Sequence, residues 1–211
     1  ESPLCQLIRD DSIDNFIVYV NQNNVSLFDK VKVSKFESNL LLIKNRPTLI
    51  EYAAFYGSIQ IFKYLYNNKV ELESSLWLYS IHSRNPEIQN FLEENQVKPK
   101  DDDFLPCLIE SIKCHHNEIA TYIKENYLND YDDILNIETC LEYRNFQYFM
   151  DNYSIDQFNN YINEYFYSFC RLDFITLTEY YLQEMKSNNK FTGKINLALK
   201  EASKITLKLS T

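Results

Sequence analysis

One stretch of sequence occurs three times in this chain, in copies that begin at Thr48, Ser75 and Pro106. Each copy has an apolar first half, a polar break and an apolar second half. Two short helices joined by a tight turn have this pattern. Because one helix pair cannot bury its apolar face alone, the copies are expected to stack side by side. The repeat therefore predicts an all-α chain in which consecutive helix pairs form a solenoid.

The first helix of each copy has an apolar stripe at i, i+3 and i+4, with a small residue near its middle. The stripe residues are Ile50, Ala53 and Ala54, then Trp77, Ser80 and Ile81, then Leu108, Ser111 and Ile112. The small residues let neighbouring first helices approach closely. Thr48 precedes the stripe of the first copy and Glu51 follows three positions later, which is a capping-box pattern. Pro106 suits the first turn of a helix, so two helix starts can be placed.

Weaker versions of the pattern flank the three copies. We interpret residues 1–211 as a single array of about six helix pairs. Its parts are 2–24 as an N-terminal repeat, 25–46 as an inserted helical segment, 47–70, 74–97 and 105–127 as the best repeats, and 131–152, 154–185 and 194–209 as divergent C-terminal repeats. In the inserted segment, Phe36 and the run 40–43 predict a further helix. No linker rich in Pro, Gly or Ser divides the chain, so one continuous domain is expected.

Asparagine is abundant in this chain, whereas only 2 glycines occur. Among residues with a side chain, Asn enters left-handed backbone geometry most readily. Asn67 with Asn68, Asn95 and Asn126 each follow an apolar helix end by a few residues, where such a residue often closes a helix. The sequence therefore predicts left-handed asparagines at helix C-termini. A genome biased towards Asn codons is the alternative explanation of their number.

Charge and hydropathy argue against two classes of partner. The formal net charge is −9, from 30 acidic and 21 basic residues, so most of the surface repels a nucleic-acid backbone. The sequence has no signal segment and no apolar run long enough to span a membrane.

The 5 scattered cysteines favour reduced thiols over disulfides. We expect a soluble piece of a longer chain in the cytoplasm, with association with the cytoskeleton as an alternative.

The first copy resembles a known repeat. Residues 48–57, TLIEYAAFYG, resemble the ankyrin signature that opens with Thr-Pro-Leu-His and continues through Ala-Ala to Gly. Residues 61–65, IFKYL, resemble the second ankyrin helix. More narrowly, residues 46–92 are similar to the divergent ankyrin-like proteins of unassigned function that are abundant in trichomonad protists. The resemblance implies an ankyrin-like fold that binds another protein.

The chain also departs from the ankyrin pattern. No copy contains Thr-Pro-Leu-His, and Arg84 and His115 stand where the first copy has Gly57. The step of 27 residues between the first two copies leaves little room for a long β-hairpin finger. We therefore expect short or missing fingers, in which case recognition would fall to the concave helical face.

In ankyrin repeats, exposed positions at the end of the first helix commonly contact the partner. The residues of this chain in those columns are Phe55, Tyr56, His82, Ser83, Lys113 and Cys114. Aromatic residues are enriched at binding hot spots, which favours an interface around Phe55 and Tyr56. The alternative interpretation is that these two rings pack between neighbouring repeats.

Cys107, Cys114, His115 and His116 form a sequence cluster with metal-ligand chemistry. Cys107 and Cys114 are seven residues apart, which places them on one side of a helix. A zinc site needs about four convergent ligands, and this spacing matches no familiar zinc motif. We therefore expect no metal and no cofactor, with this cluster as a weak candidate.

The sequence contains no glycine-rich phosphate loop, nucleophile elbow or zinc-protease motif, so it identifies no catalytic residue and predicts no enzymatic activity. The repeat and the resemblance favour a non-catalytic module that binds a partner protein through its concave helical face. The alternative is a structural subunit permanently built into a cytoskeletal filament or another large assembly. In both cases the expected partner is a protein rather than nucleic acid or a membrane.

Overall fold

The computed structural model describes residues 2–32, 34–128 and 133–153, and within them the chain is predominantly helical. This confirms the all-α class. The α-helices are α1 Pro3–Arg9, α2 Ile13–Asn23, α3 Leu40–Asn45, α4 Leu49–Tyr56, α5 Ile59–Asn67, α6 Leu76–Ser80, α7 Pro86–Glu94, α8 Leu105–Lys113, α9 Asn117–Tyr127, α10 Asp133–Glu142 and α11 Phe146–Asn152. The expected repeats at 154–185 and 194–209 lie outside the described residues.

The chain divides into two compact units, residues 1–128 and 129–211. In the first unit, helices pack in consecutive pairs: α1 with α2, α4 with α5, α6 with α7, and α8 with α9. The first helices of successive pairs also contact each other, in the order α1, α4, α6, α8. Within the second unit, α10 packs on α11. The expectation of a single array over 1–211 stays a prediction.

Small residues lie where the first helices meet. Ala53 and Ala54 are fully buried in α4, as are Ser80 and Ser111 in α6 and α8. Each serine hydroxyl donates to a carbonyl of its own helix, so no buried polar group lacks a partner at these two positions. The buried indole of Trp77 donates from Nε1 to the Val97 carbonyl at 2.6 Å, which fixes the link after α7 against α6.

Both helix starts expected from the sequence are confirmed. Thr48 Oγ1 accepts from the Glu51 amide, and Glu51 Oε2 accepts from the Thr48 amide at 2.7 Å, which completes a capping box on α4. The other carboxylate oxygen of Glu51 accepts from the Ser75 hydroxyl at 2.6 Å, beside the start of α6. Pro106 occupies the first turn of α8. The cap of α4 therefore also connects two successive pairs.

The first helix of each pair ends at a residue with positive φ. These residues are Asp11, Gly57, Arg84, His115 and, in the second unit, Arg144. After Asp11, Gly57, His115 and Arg144, the next backbone N–H donates to a carbonyl five residues earlier, as in a Schellman motif. Gly57 has φ 77°, and a Cβ there would lie 3.1 Å from Asn85 Cβ and 3.2 Å from the Ser83 carbonyl oxygen. The five turns therefore have a positive-φ residue in common, while the side chain of that residue differs from turn to turn.

Asn24, which closes α2, has the left-handed geometry expected of asparagine at a helix C-terminus, whereas α5 and α7 end differently. Asn68 and Asn95 have φ of −90° and −91°, so the prediction of left-handed geometry at these positions is wrong. The left-handed residues are instead the following ones, Lys69 and Gln96. In each described second helix, an Asn Nδ2 donates to the carbonyl of an aromatic residue four positions earlier. The pairs are Asn23 to Tyr19, Asn68 to Tyr64, Asn95 to Phe91, Asn126 to Tyr122 and Asn152 to Tyr148.

The inserted segment contains a shorter helix than expected. α3 covers Leu40–Asn45, and Phe36 lies outside it in a turn with 96% of its surface exposed. Lys30 and Thr48 form an isolated antiparallel bridge that closes the base of the segment. Among the described residues, no β-strand extends this bridge into a hairpin finger.

The second unit repeats the local chemistry of the first. Asn145, fully buried, accepts from the Tyr148 amide at 3.2 Å and caps the start of α11. Ile137, Cys140 and Leu141 line the buried side of α10. The described residues of 131–152 therefore form a helix–turn–helix pair with the same kind of turn.

Candidate functional site

The residues predicted to bind a partner lie at the ends of three neighbouring first helices. Phe55 and Tyr56 end α4, His82 and Ser83 belong to a short 3-10 helix that continues α6, and the pair Lys113–Cys114 closes α8. Arg9, Tyr52 and Glu110 also belong to this row, as their contacts below show, and we call the nine residues together the first-helix strip.

Aromatic rings form one half of the strip. The Phe55 ring stacks on the His82 imidazole, with centroids 4.5 Å apart and planes at 21°. Phe55 also contacts Tyr56 edge-on at 5.0 Å, and Tyr56 lies 4.7 Å from the buried Tyr52 ring. Because Phe55 and Tyr56 are half-buried, each ring both packs between first helices and keeps part of its surface in solvent.

Arg9 extends these rings to the first pair. Its guanidinium carbon lies 4.9 Å from the Tyr56 ring centroid, and its Nε donates to the Tyr52 hydroxyl at 2.9 Å. Burial raises the pKa of the Tyr52 phenol above its ordinary range despite the bond from Arg9. The phenol is therefore neutral at physiological pH, and Arg9 keeps its charge beside it.

Glu110 is the centre of the other half of the strip. Its Oε1 lies 3.0 Å from His82 Nε2, and its Oε2 lies 3.0 Å from Lys113 Nζ. Burial acts to raise the pKa of Glu110, but His82 and Lys113 outweigh it and hold the pKa below its ordinary value. The carboxylate is therefore ionised at neutral pH and connects α8 to the end of α6.

Cys114 and Ser83 complete the strip in different ways. Cys114 Sγ lies 3.6 Å from His82 Nδ1 and 3.9 Å from Glu110 Oε1. Burial, with Glu110 nearby, raises the pKa of this thiol to about 11. The Ser83 hydroxyl donates to the Ser80 carbonyl and accepts from the Asn85 amide, which gives Ser83 a local role in the turn.

The structure does not gather the four weak metal candidates. Cys107 is buried, and burial raises the pKa of its thiol to about 12. His115 is exposed on the left-handed turn. His116 uses both ring nitrogens: Nε2 accepts from Arg84 Nε at 2.8 Å, and Nδ1 lies 2.6 Å from the Ile81 carbonyl oxygen.

A different set of ligand atoms does converge. In the described part of the chain, His82, Glu110 and Cys114 are the group of metal-ligating side chains whose atoms lie within 4.8 Å of one another. No sequence motif indicated Glu110, although its position four residues before Cys114 puts both on one helix face. The contribution of His82 comes from another repeat, so no local spacing could indicate it.

Comparison with known proteins assigns no function to this site. Residues 69–153 match the model of a family described as a domain of unknown function, DUF3447. The match covers less than half of the chain and includes His82, Glu110 and Cys114. No curated protein and no solved structure matches the chain. In the described residues, no helix has the length and apolar character that a membrane span requires.

Proposed function

We propose that this chain is a divergent ankyrin-like solenoid that binds a partner protein in the cytoplasm, without catalysis, through the first-helix strip. One observation carries the proposal: a continuous series of contacts runs across four successive first helices, from Arg9 over Tyr56 and Phe55 to His82, Glu110 and Lys113. Such a series holds side chains from separate repeats in fixed relative positions. A partner that contacts several repeats at once needs that arrangement.

The chemistry of the strip fits a protein partner. Partly exposed aromatic rings are common binding anchors, because they offer a large contact area and lose little conformational entropy on binding. Arg9 and Lys113 place positive charge at the two ends of the strip, on a chain whose formal net charge is −9. Acidic or aromatic groups of a partner would therefore complement the strip better than they complement the surrounding surface.

Charge reversal at two matched lysines tests which surface binds. Lys113 pairs with Glu110 in the strip, and Lys63 pairs with Glu87 on the second helices. The two lysine side chains are 40% and 48% exposed. In quantitative affinity purification with the full chain, we expect Lys113→Glu to reduce recovery of the partner several-fold. The control Lys63→Glu should recover it at the original level, and the opposite pattern would place binding on the second helices.

Removal of the rings distinguishes binding from packing. For Tyr56→Ala, a partner affinity about 5–10-fold weaker, with a small change in Tm, supports an interface role. If Phe55→Ala combined with Tyr56→Ala lowers Tm by many degrees, the rings belong to the core. Recovery of the chain in a salt-resistant insoluble fraction with fixed neighbours would favour the structural-subunit alternative.

A further inference from the structure

We propose that His82, Glu110 and Cys114 bind a divalent transition-metal ion of the zinc class, with a fourth coordination position open to solvent or to a partner side chain. The site goes beyond the proposed recognition function and does not depend on it. It joins the end of α6 to α8, so the ion would connect two successive helix pairs.

The ligand types suit zinc. An imidazole nitrogen, a carboxylate oxygen and a thiolate sulfur are the three donor types that zinc accepts, at bond lengths of about 2.0–2.3 Å. Ionised Glu110 and a Cys114 thiolate together carry two negative charges, which balance a divalent cation. The Cys114 thiol proton would pass to the solvent as the metal–sulfur bond forms.

The distances suit a shared ion. Two donors on one tetrahedral zinc are separated by about 3–4 Å, given those bond lengths. The three side chains show separations of 3.0 Å between His82 and Glu110, 3.6 Å between His82 and Cys114, and 3.9 Å between Cys114 and Glu110. Small side-chain rotations therefore bring the donors to bonding distance of one point.

His82 gives an independent indication of a ligand. Its side chain is 8% exposed, and its Nε2 is buried without a hydrogen-bond partner. Glu110 Oε1 lies 3.0 Å away, within ion-pair distance, but the two groups do not form a hydrogen bond. Two ligands of one ion can lie this close without a hydrogen bond between them, because each binds the ion. The stacked Phe55 ring holds the imidazole in this orientation.

Glu110 can serve the site without losing Lys113. Lys113 Nζ donates to both carboxylate oxygens, at 3.1 Å to Oε1 and 3.0 Å to Oε2, and Oε1 is also the oxygen that faces His82 and Cys114. The carboxylate can therefore bind an ion through Oε1 while Oε2 keeps its ion pair. Glu110 and Cys114 share one face of α8 because they are four residues apart.

Cobalt and zinc titrations of the reduced full chain test the site. We expect one Co²⁺ per chain, with a sulfur-to-cobalt charge-transfer band that excess Zn²⁺ removes. Cys114→Ser should abolish the band, and Glu110→Gln should weaken Zn²⁺ binding by at least about 10-fold, because loss of a direct ligand costs no less than loss of an outer-shell partner. The control His115→Ala, at the neighbouring exposed histidine, should bind as the original chain does. Absence of binding, a band that persists in Cys114→Ser, or a band lost in His115→Ala would overturn the proposal.

A measurement on the unaltered chain covers the case in which a variant fails to fold. Mass spectrometry can follow alkylation of each cysteine with iodoacetamide, with and without Zn²⁺. We expect Zn²⁺ to slow the modification of Cys114 at least about 10-fold, because the metal holds the thiolate. An unchanged alkylation rate at Cys114 in saturating Zn²⁺ would contradict the proposal.

Discussion

The first helix of each described pair ends in a positive-φ residue whose side chain differs from pair to pair, whereas the second helix ends with the same asparagine contact each time. Backbone geometry does not distinguish the two kinds of end, because Asn24, Lys69 and Gln96 after α2, α5 and α7 also have positive φ. The next N–H again donates to a carbonyl five residues earlier. What recurs at second-helix ends is the asparagine side chain. At the described first-helix ends no such side-chain contact recurs, so the side chain at the positive-φ position differs between pairs. The first-helix strip and the proposed metal site both lie beside these variable ends.

Among substitutions at these helix ends, Gly57→Ala should have the largest effect on stability. The left-handed backbone and the short approach to Asn85 and Ser83 both oppose a Cβ, so we expect a loss of about 1–3 kcal/mol in the free energy of unfolding. Arg84→Gly, in the same column, relieves left-handed strain and should change stability by less than about 1 kcal/mol. Urea denaturation of both variants checks this, and equal losses would show that backbone geometry is not the cause.

Asp11→Ala tests whether the side chain at one of these variable positions contributes to stability. The Asp11 carboxylate accepts from the amides of Gln60 and Ile61 at 3.0 and 2.9 Å, so it caps α5 from the preceding pair. Its loss should cost about 1–2 kcal/mol. Asp10→Ala removes an exposed carboxylate that accepts from Gln6 and should cost less than about 0.5 kcal/mol. If both variants unfold at the same urea concentration, the cap does not contribute.

Asn68→Ala gives the smallest expected effect. Asn68 Nδ2 donates to the Tyr64 carbonyl at 2.8 Å at an exposed helix end, so its removal should cost about 0.5–1 kcal/mol. The neighbour Asn67 is an exposed residue of the same helix end, and Asn67→Ala should not lower stability, because Ala has the higher helix propensity. Indistinguishable thermal unfolding of the two variants would contradict a structural role for the asparagine contact.

The sequence was sufficient for features that depend on near neighbours. The capping box of Thr48 and Glu51 and the position of Pro106 follow from residues within one turn of helix. The asparagine pattern was also visible, and left-handed geometry occurs at Asn24 but not at Asn68 or Asn95. At those two positions the side chain instead donates to a carbonyl four residues earlier.

Contacts between pairs could not be predicted in the same way. His82 and Glu110 meet because α6 and α8 pack with one particular register, and irregular spacing between the copies leaves that register undefined in the sequence. The same limit applies to Asp11, whose carboxylate caps a helix about fifty residues away. The resemblance was enough to name His82 and Lys113 as candidate binding residues. It did not indicate Glu110, whose carboxylate contacts both.

Cross-linking mass spectrometry on native material tests the central claim that the first-helix strip contacts the partner. With a lysine-reactive cross-linker, Lys113 reports on the strip, and the exposed Lys63 and Lys69 report on α5 and the link after it. We predict that links to one partner protein come from Lys113 and not from Lys63 or Lys69. Links to that partner from Lys63 and Lys69, with none from Lys113, would contradict the account.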